Sequence, residues 1–257
     1  MAIVLNENKW AKEMIDNRTL GKKPSETLRR VARYYFDEGL DKRKTRQKLE
    51  SFLVGCDQSI SIPKWADSIE FALSCAKKRE AISIDRIVIT EPEMERIGEL
   101  GGAMVQRLAF TLLCLAKYWD AATKSDVHWV NSKDSDIMRM ANINTSIKRQ
   151  SAMYNDLYTA GLIRFSKRVD NTNVQVQYVC DGKTAVEVTD LRNLGYQYGM
   201  YREPNKYLKC ENCGIVVKQT SPNVGRPQKY CRECAVLLDL RQRVESVMRQ
   251  RNNVRRK

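Results

Sequence analysis

Between Ser25 and Gly39 the apolar residues Leu28, Val31, Ala32 and Tyr35 recur at three- and four-residue steps, the period of a helix with one buried stripe. Gly39 closes that helix, and Asp41 caps a second one that runs through KRKTRQKLESFLVG to Gly55. A third, PKWADSIEFALSCAKKRE, starts with proline in its first turn, where the missing N–H costs nothing. From Ile82 to Thr90 the period changes: ISIDRIVIT alternates apolar and polar positions and is rich in β-branched residues, which predicts a strand. Residues 1–98 therefore read as an N-terminal helical domain.

Thr90-Glu91-Pro92-Glu93 carries the signature of a capping box and opens a further helical region, interrupted at Gly101-Gly102. A domain boundary is expected at that interruption. Beyond it the pattern predicts a long apolar helix from Met104, a short strand at 127–130 (VHWV), a short helix in SDIMRMANI, and a helix from Thr145 that stops at Gly161. Two alternating strands follow, LIRFSK and VQVQYV, joined by the polar tip 167–173. Ile147, Met153 or Tyr154, and Leu157 form the expected inward face of the helix at 145–160. That leaves Ser146, Lys148, Arg149 and Gln150 exposed near its start. In element order and basic placement, residues 99–182 resemble winged-helix DNA-binding domains. The resemblance implies that the start of this third helix enters a DNA major groove, while Lys167 and Arg168 on the wing reach the neighbouring backbone. Winged helices also serve as protein-interaction modules, and that alternative stays open.

Charge adds direction to this picture. Forty-five Lys and Arg against 31 Asp and Glu give a formal net charge of +14, which favours a polyanionic partner. The excess is uneven: residues 204–257 hold 13 basic and 4 acidic side chains, whereas residues 1–95 hold 18 and 16. The basic run at 42–48 is expected to be a solvated helix face. The longest apolar stretch, Leu108 to Ala116, is far shorter than the about 20 residues a membrane span requires. The first residues also lack the basic start and apolar run of a secretory signal. A cytoplasmic protein with no membrane partner is the expectation.

Eight cysteines in such a compartment are tested first as metal ligands. Cys210-Glu-Asn-Cys213 and Cys231-Arg-Glu-Cys234 form two CxxC pairs separated by 17 residues, a spacing at which both pairs can meet one tetrahedral ion. Gly214 follows the first pair, where a tight knuckle needs unusual backbone freedom, and the second pair opens a helical pattern. Residues 207–250 thereby resemble the treble-clef type of zinc finger, which implies one structural Zn2+ on four thiolates. An iron–sulfur cluster is the alternative for the same ligand set, and a closed set of four leaves no position for catalysis. Nearby cations, Arg226 among them, either offset the negative charge of such a centre or contact nucleic acid. Cys56, Cys75, Cys114 and Cys180 lack paired spacing; Cys75 and Cys114 fall in apolar helical patterns and are expected in cores.

Residues 183–206 read as a tyrosine-rich connector. Gly225-Arg226-Pro227 resembles the tripeptide that lies in AT-rich minor grooves, but the basic pairs that usually flank it are missing on its left side, and a turn in the finger is the expected reading. The closing helix has an apolar seam, Leu237, Leu240, Val244 and Val247, opposite an arginine face that includes Arg241 and Arg249. The seam can bury against the finger or pair with its copy in a homodimer. The single histidine, His128, is expected as a strand residue, and its being alone argues against histidine-based nucleases and most hydrolase sites that need both a base and a separate histidine metal ligand. Together the winged-helix pattern and the Lys229-to-Cys234 segment (KYCREC) resemble proteins of phages and mobile elements of Gram-positive bacteria. The expectation is a mainly α (α+β) chain with a helical domain, a winged helix-turn-helix domain and a four-cysteine finger with a basic helix. Such a chain is expected to bind double-stranded DNA without enzymatic activity, as a transcription regulator or replication accessory factor. The alternative is a factor that docks on a polymerase, replication enzyme or defence protein.

Overall fold

The computed structural model describes residues 3–167, 173–219 and 227–254, with side chains up to Arg249. Two compact units emerge, Met1–Ile87 with Ala121–Ser125, and Val88–Asp120 with Asp126–Lys257. Helix predominates over three small sheets.

The first unit is built on four helices: α1 (Glu7–Asp16), α2 (Pro24–Asp37), α3 (Lys42–Cys56) and α4 (Ile62–Ala76). The expected stripe of α2 is its core face: Leu28, Val31 and Ala32 are fully buried against Leu49 and Leu53 of α3 and Ile69 and Leu73 of α4. Burying each of the larger side chains contributes about 1.5–3 kcal/mol. Asp41 caps α3 as expected, accepting from the Lys44 amide at 2.8 Å.

Helix α1 adds an element to those expected, and its apolar residues Trp10, Ala11, Met14 and Ile15 recur at three- and four-residue steps and pack on this same core. Asn6 starts it by accepting from the Lys9 amide, and only Glu7 and Ala11 of its residues are buried. The expected strand at 82–90 divides in two. Ile82 to Ile84 pair with Leu5 to Glu7 through backbone bonds of 2.8 and 2.9 Å, whereas Ile87–Thr90 forms β1.

In the second unit, α5 (Glu91–Gly98) follows β1 directly. The Glu93 carboxylate, fully buried, accepts from the amides of Thr90 (2.8 Å) and Cys180 (3.0 Å) and from the Lys117 ammonium (2.7 Å). Lys117 also donates to the Val88 carbonyl at 2.7 Å, so one buried ion pair ties β1, α5 and the 180 region to α6 (Ala103–Thr123). The stretch 108–116 of α6 is buried throughout and supplies the core, with Tyr178 donating to the Ala109 carbonyl at 2.7 Å. Gly101-Gly102 joins α5 to α6 inside this unit.

Next come β2 (Trp129–Val130), α7 (Asp134–Met140), α8 (Ile147–Thr159), β3 (Ile163–Phe165) and β4 (Val174–Val176). The strands form an antiparallel sheet in the order β2-β4-β3, with Trp129 opposite Gln175 and Ile163 opposite Val176. Strand β2 is shorter than the pattern at 127–130 predicts, because His128 adopts a left-handed φ of 58°. The Asp120 carboxylate holds that turn by accepting from the amides of Val127 and His128 and meeting His128 Nδ1 at 2.6 Å.

The region expected as a connector is structured. Strand β5 (Thr184–Val188) pairs with β1, and α9 (Leu194–Arg202) carries Tyr196 and Tyr198 into packing while Tyr201 stays exposed. Tyr198 is buried, lies 5.5 Å from the Phe110 ring and donates to Gln106 at 3.1 Å. A Cβ at Gly195 would collide with the Ala141 carbonyl, so glycine is what lets α9 press onto the end of α7. A short 3₁₀ turn leads to β6 (Tyr207–Lys209), paired antiparallel with β7 (Val216–Lys218), and the chain closes on α10 (Arg232–Val254). Among the described residues no helix is long and apolar enough to cross a membrane.

Candidate metal centre and nucleic-acid interface

The β6–β7 hairpin carries Cys210 and Cys213 at its tip. The Cys210 amide donates to the Ile215 carbonyl and the Gly214 amide to the Cys210 carbonyl, both at 2.9 Å; Gly214 has a φ of 71°. This is the knuckle that the glycine after the first pair predicts, since a side chain there would strain the turn. Cys231 lies just before α10 and Cys234 in its first turn. A bond from the Glu211 amide to the Lys229 carbonyl at 3.1 Å brings the two pairs together.

All four Sγ atoms lie within 4.8 Å of one another, and Cys213 Sγ is 3.7 Å from Cys231 Sγ. The edge of a tetrahedron with metal–sulfur bonds of about 2.3 Å is about 3.8 Å, so the ligand cage has the size a tetrahedral ion requires. Cys210, Cys231 and Cys234 are buried and Cys213 is half-buried. Burial opposes ionisation of Cys210, but the amides of Cys231, Cys213 and Asn212 outweigh it and bring the thiol down to about 6. Cys213 is pushed up to about 12 by burial and by its sulfur neighbours. Crowded thiols that cannot all ionise alone are a natural site for a cation, and the four cysteines can hold a metal ion.

The centre is anchored to the rest of its unit by polar contacts. Arg192 donates to the Cys213 carbonyl at 2.9 Å and Asn193 to the Val216 carbonyl at 3.0 Å. Asn193 also accepts from the Asn142 amide group at 3.1 Å, which links the hairpin to the turn between α7 and α8. Sequence patterns did not mark these residues; Asn193 next to a glycine-containing helix was the available signal.

Helix α8 presents the expected cations. Lys148 and Arg149 are exposed, and among the described residues neither pairs with a carboxylate. Ser146 is the N-cap, its hydroxyl accepting from the Arg149 amide at 3.4 Å, and Gln150 folds back to donate to the Thr145 carbonyl at 2.9 Å. Both side chains are thus engaged in starting the helix. Ile147 corrects the expected inward face. It is 80% exposed, because the first turn of α8 extends past the core that Met153, Tyr154 and Leu157 reach. Tyr154 instead donates to Asp134 at 3.3 Å and fastens α8 to α7.

Lys167 is exposed beyond β3, and Arg164 on β3 is an exposed cation that the sequence patterns passed over. Tyr158 and Phe165, both about half exposed, stand 5.4 Å apart beside it. Arg168 and Arg226 lie outside the described residues. On α10, Arg241 is exposed, while Arg249 lies 3.9 Å from Glu245 and Arg243 2.7 Å from Asp239. Val236, Leu237, Leu240, Val244, Val247 and Met248 form a stripe that is about half exposed along the same helix. Asp120, Asp126 and His128 also gather, but Asp120 is committed to the loop it caps. Of the remaining cysteines, Cys114 is buried in α6 with its thiol raised by that burial, Cys75 is half-buried, and Cys180 is exposed.

No family model, no curated protein and no solved structure matches this chain.

Proposed function

We propose that this chain is a non-enzymatic DNA-binding protein of the winged-helix type, stabilised by one structural zinc ion and acting in the cytoplasm in transcription control or replication of a phage or mobile element. The observation that carries the proposal is the pair Lys148 and Arg149, exposed at the start of α8 with no carboxylate to satisfy them among the described residues. Cations at the start of the third helix of such a unit are suited to phosphates and base edges of a major groove. Lys167 and Arg164 are further exposed cations of the same unit. Arg241 and the other α10 arginines supply affinity that is independent of sequence and sensitive to salt. Zinc fits four thiolates at tetrahedral spacing, and its chemistry there is to cross-link the hairpin to α10 without an open coordination position.

Fluorescence anisotropy with duplex DNA, single-stranded DNA and RNA at two salt concentrations tests the proposal. Duplex is expected to bind best, and its affinity should fall with a log–log slope of about −0.9 per neutralised phosphate. Weak, salt-insensitive binding to all three probes would contradict it.

A second reading, a factor that docks on a polymerase, replication enzyme or defence protein, is favoured by the half-exposed apolar stripe of α10. The same stripe suits a homodimer through two heptads. Sedimentation of the full chain with and without duplex separates these outcomes.

A further inference from the structure

The first unit contains a charged cavity that the proposed DNA surface does not use. Glu7, on α1, is 2% exposed and is shared by three guanidinium groups: Arg79 at 2.7 Å, Arg33 at 2.8 Å and Arg30 at 3.4 Å. Glu26 pairs with Arg30 at 3.0 Å. Around these groups lies a cavity of about 270 Å3, whose charged lining is Arg29, Arg30, Arg33, Lys78 and Arg79 against Glu7 and Glu26. Five cations face two carboxylates.

The buried cations Arg30 and Arg33 are paired with Glu7 and Glu26, so the excess of three positive charges belongs to half-buried Arg29 and exposed Lys78 and Arg79. Cations in excess around a partly enclosed space attract an opposite charge. Arg30 and Arg33 are each more than nine-tenths buried, and the buried Nε of Arg33 has no hydrogen-bond partner among the described residues. Guanidinium forks match the oxygen spacing of phosphate, which they bind with paired hydrogen bonds. A water takes about 30 Å3, so the cavity has room for a phosphoryl group and the first atoms of whatever carries it. Lys78 and Arg79 are exposed, which makes the pocket accessible from solvent.

We propose that this pocket binds a phosphate group, either as a free phosphate or mononucleotide or as the 5′-phosphate at the end of a DNA strand, independently of the α8 surface.

Isothermal titration of the full chain with inorganic phosphate, thymidine 5′-monophosphate, thymidine, and a dinucleotide with and without a 5′-phosphate tests this. The expected result is saturable binding, at one site per chain, of inorganic phosphate and of the probes with a terminal phosphate monoester, with none for thymidine or for the 5′-hydroxyl dinucleotide, whose only phosphate is an internal diester. Similar affinity for phosphate and the mononucleotide assigns the free ligand; distinctly tighter binding of the phosphorylated dinucleotide assigns the strand end. Lys78→Gln with Arg79→Gln should weaken binding about tenfold or more, as expected when charge-assisted hydrogen bonds are removed. Lys148→Glu with Arg149→Glu should leave it unchanged. Because Arg79 supports Glu7, Arg29→Gln provides a second variant that breaks no ion pair with Glu7 and should also weaken binding. Absence of saturable binding to every phosphate probe overturns the proposal, as does binding that survives both pocket variants.

Discussion

The basic run at the start of α3 and the basic pair at the start of α8 look alike in sequence, yet their surroundings differ. On α3, Lys42 meets Glu70 at 2.9 Å, and Arg46 meets Glu70 at 2.6 Å and Glu50 at 3.0 Å. On α8, Lys148 and Arg149 meet no carboxylate among the described residues. A count of lysines and arginines does not separate the two. What separates the pairs Lys42/Arg46 and Lys148/Arg149 is whether a neighbouring helix supplies an acid: Glu70 of α4 does so for Lys42 and Arg46, whereas the carboxylate nearest the α8 pair along that helix, Asp156, is two turns further on. Matched charges hold a surface together, and unmatched ones remain available to a polyanion.

The largest effect that would sharpen this contrast is expected at the metal centre. Cys213→Ser should lower the bound metal from one ion towards none by native mass spectrometry. Residues 207–219 and 229–249 should lose protection from hydrogen exchange while the first unit keeps it, since metal binding and folding are one process in such sites. Retained metal would remove Cys213 from the ligand set. Next in size is the buried pair of the second unit. Lys117→Ala strands Glu93 in a fully buried position and should cost about 3–5 kcal/mol in urea unfolding. A cost within about 1 kcal/mol, the scale of exposed pairs, would show that the pair contributes little.

A smaller effect is expected from Glu7 in the first unit. Burial raises its pKa, but hydrogen bonding to Arg79, the charge of Arg33 and the Ile82 amide outweigh it and leave the carboxyl below its ordinary value of 4.5. The stability it contributes is therefore complete above that value and is lost as pH falls through the lower, folded-state pKa. Thermal unfolding of the wild type should decline below about pH 4.5 more steeply than that of Glu7→Gln. Parallel curves would assign the acid sensitivity elsewhere.

Features set by local chemistry were legible in the sequence. The stripe of α2, the Asp41 cap and each CxxC pair depend on residues a few positions apart, and the two pairs gather as their spacing implies. The Gly214 knuckle belongs with them. Features set by distant partners were not legible. Helix α1 carries a legible stripe in Trp10, Ala11, Met14 and Ile15, but its start is fixed by pairing with residues 82–84, far along the chain. The glycines of α9 suggest a connector, yet Gly195 permits close packing on Ala141. Ile147 fits the helical period but falls beyond the edge of the core, which periodicity alone does not locate. Glu7 and Arg79 are 72 residues apart, so their pairing has no sequence signature.

The most direct test of the central claim is the salt dependence of duplex binding in two charge-reversed proteins measured side by side. Lys148→Glu with Arg149→Glu should weaken binding and reduce the log–log slope by about two, one for each phosphate that the variant no longer neutralises. Lys42→Glu with Arg46→Glu, which reverses cations already matched by Glu70 and Glu50, should leave the slope near that of the wild type. Equal slopes for the α8 variant and the wild type, or a larger loss of affinity in the α3 variant, would contradict the claim that α8 carries the DNA-facing charge.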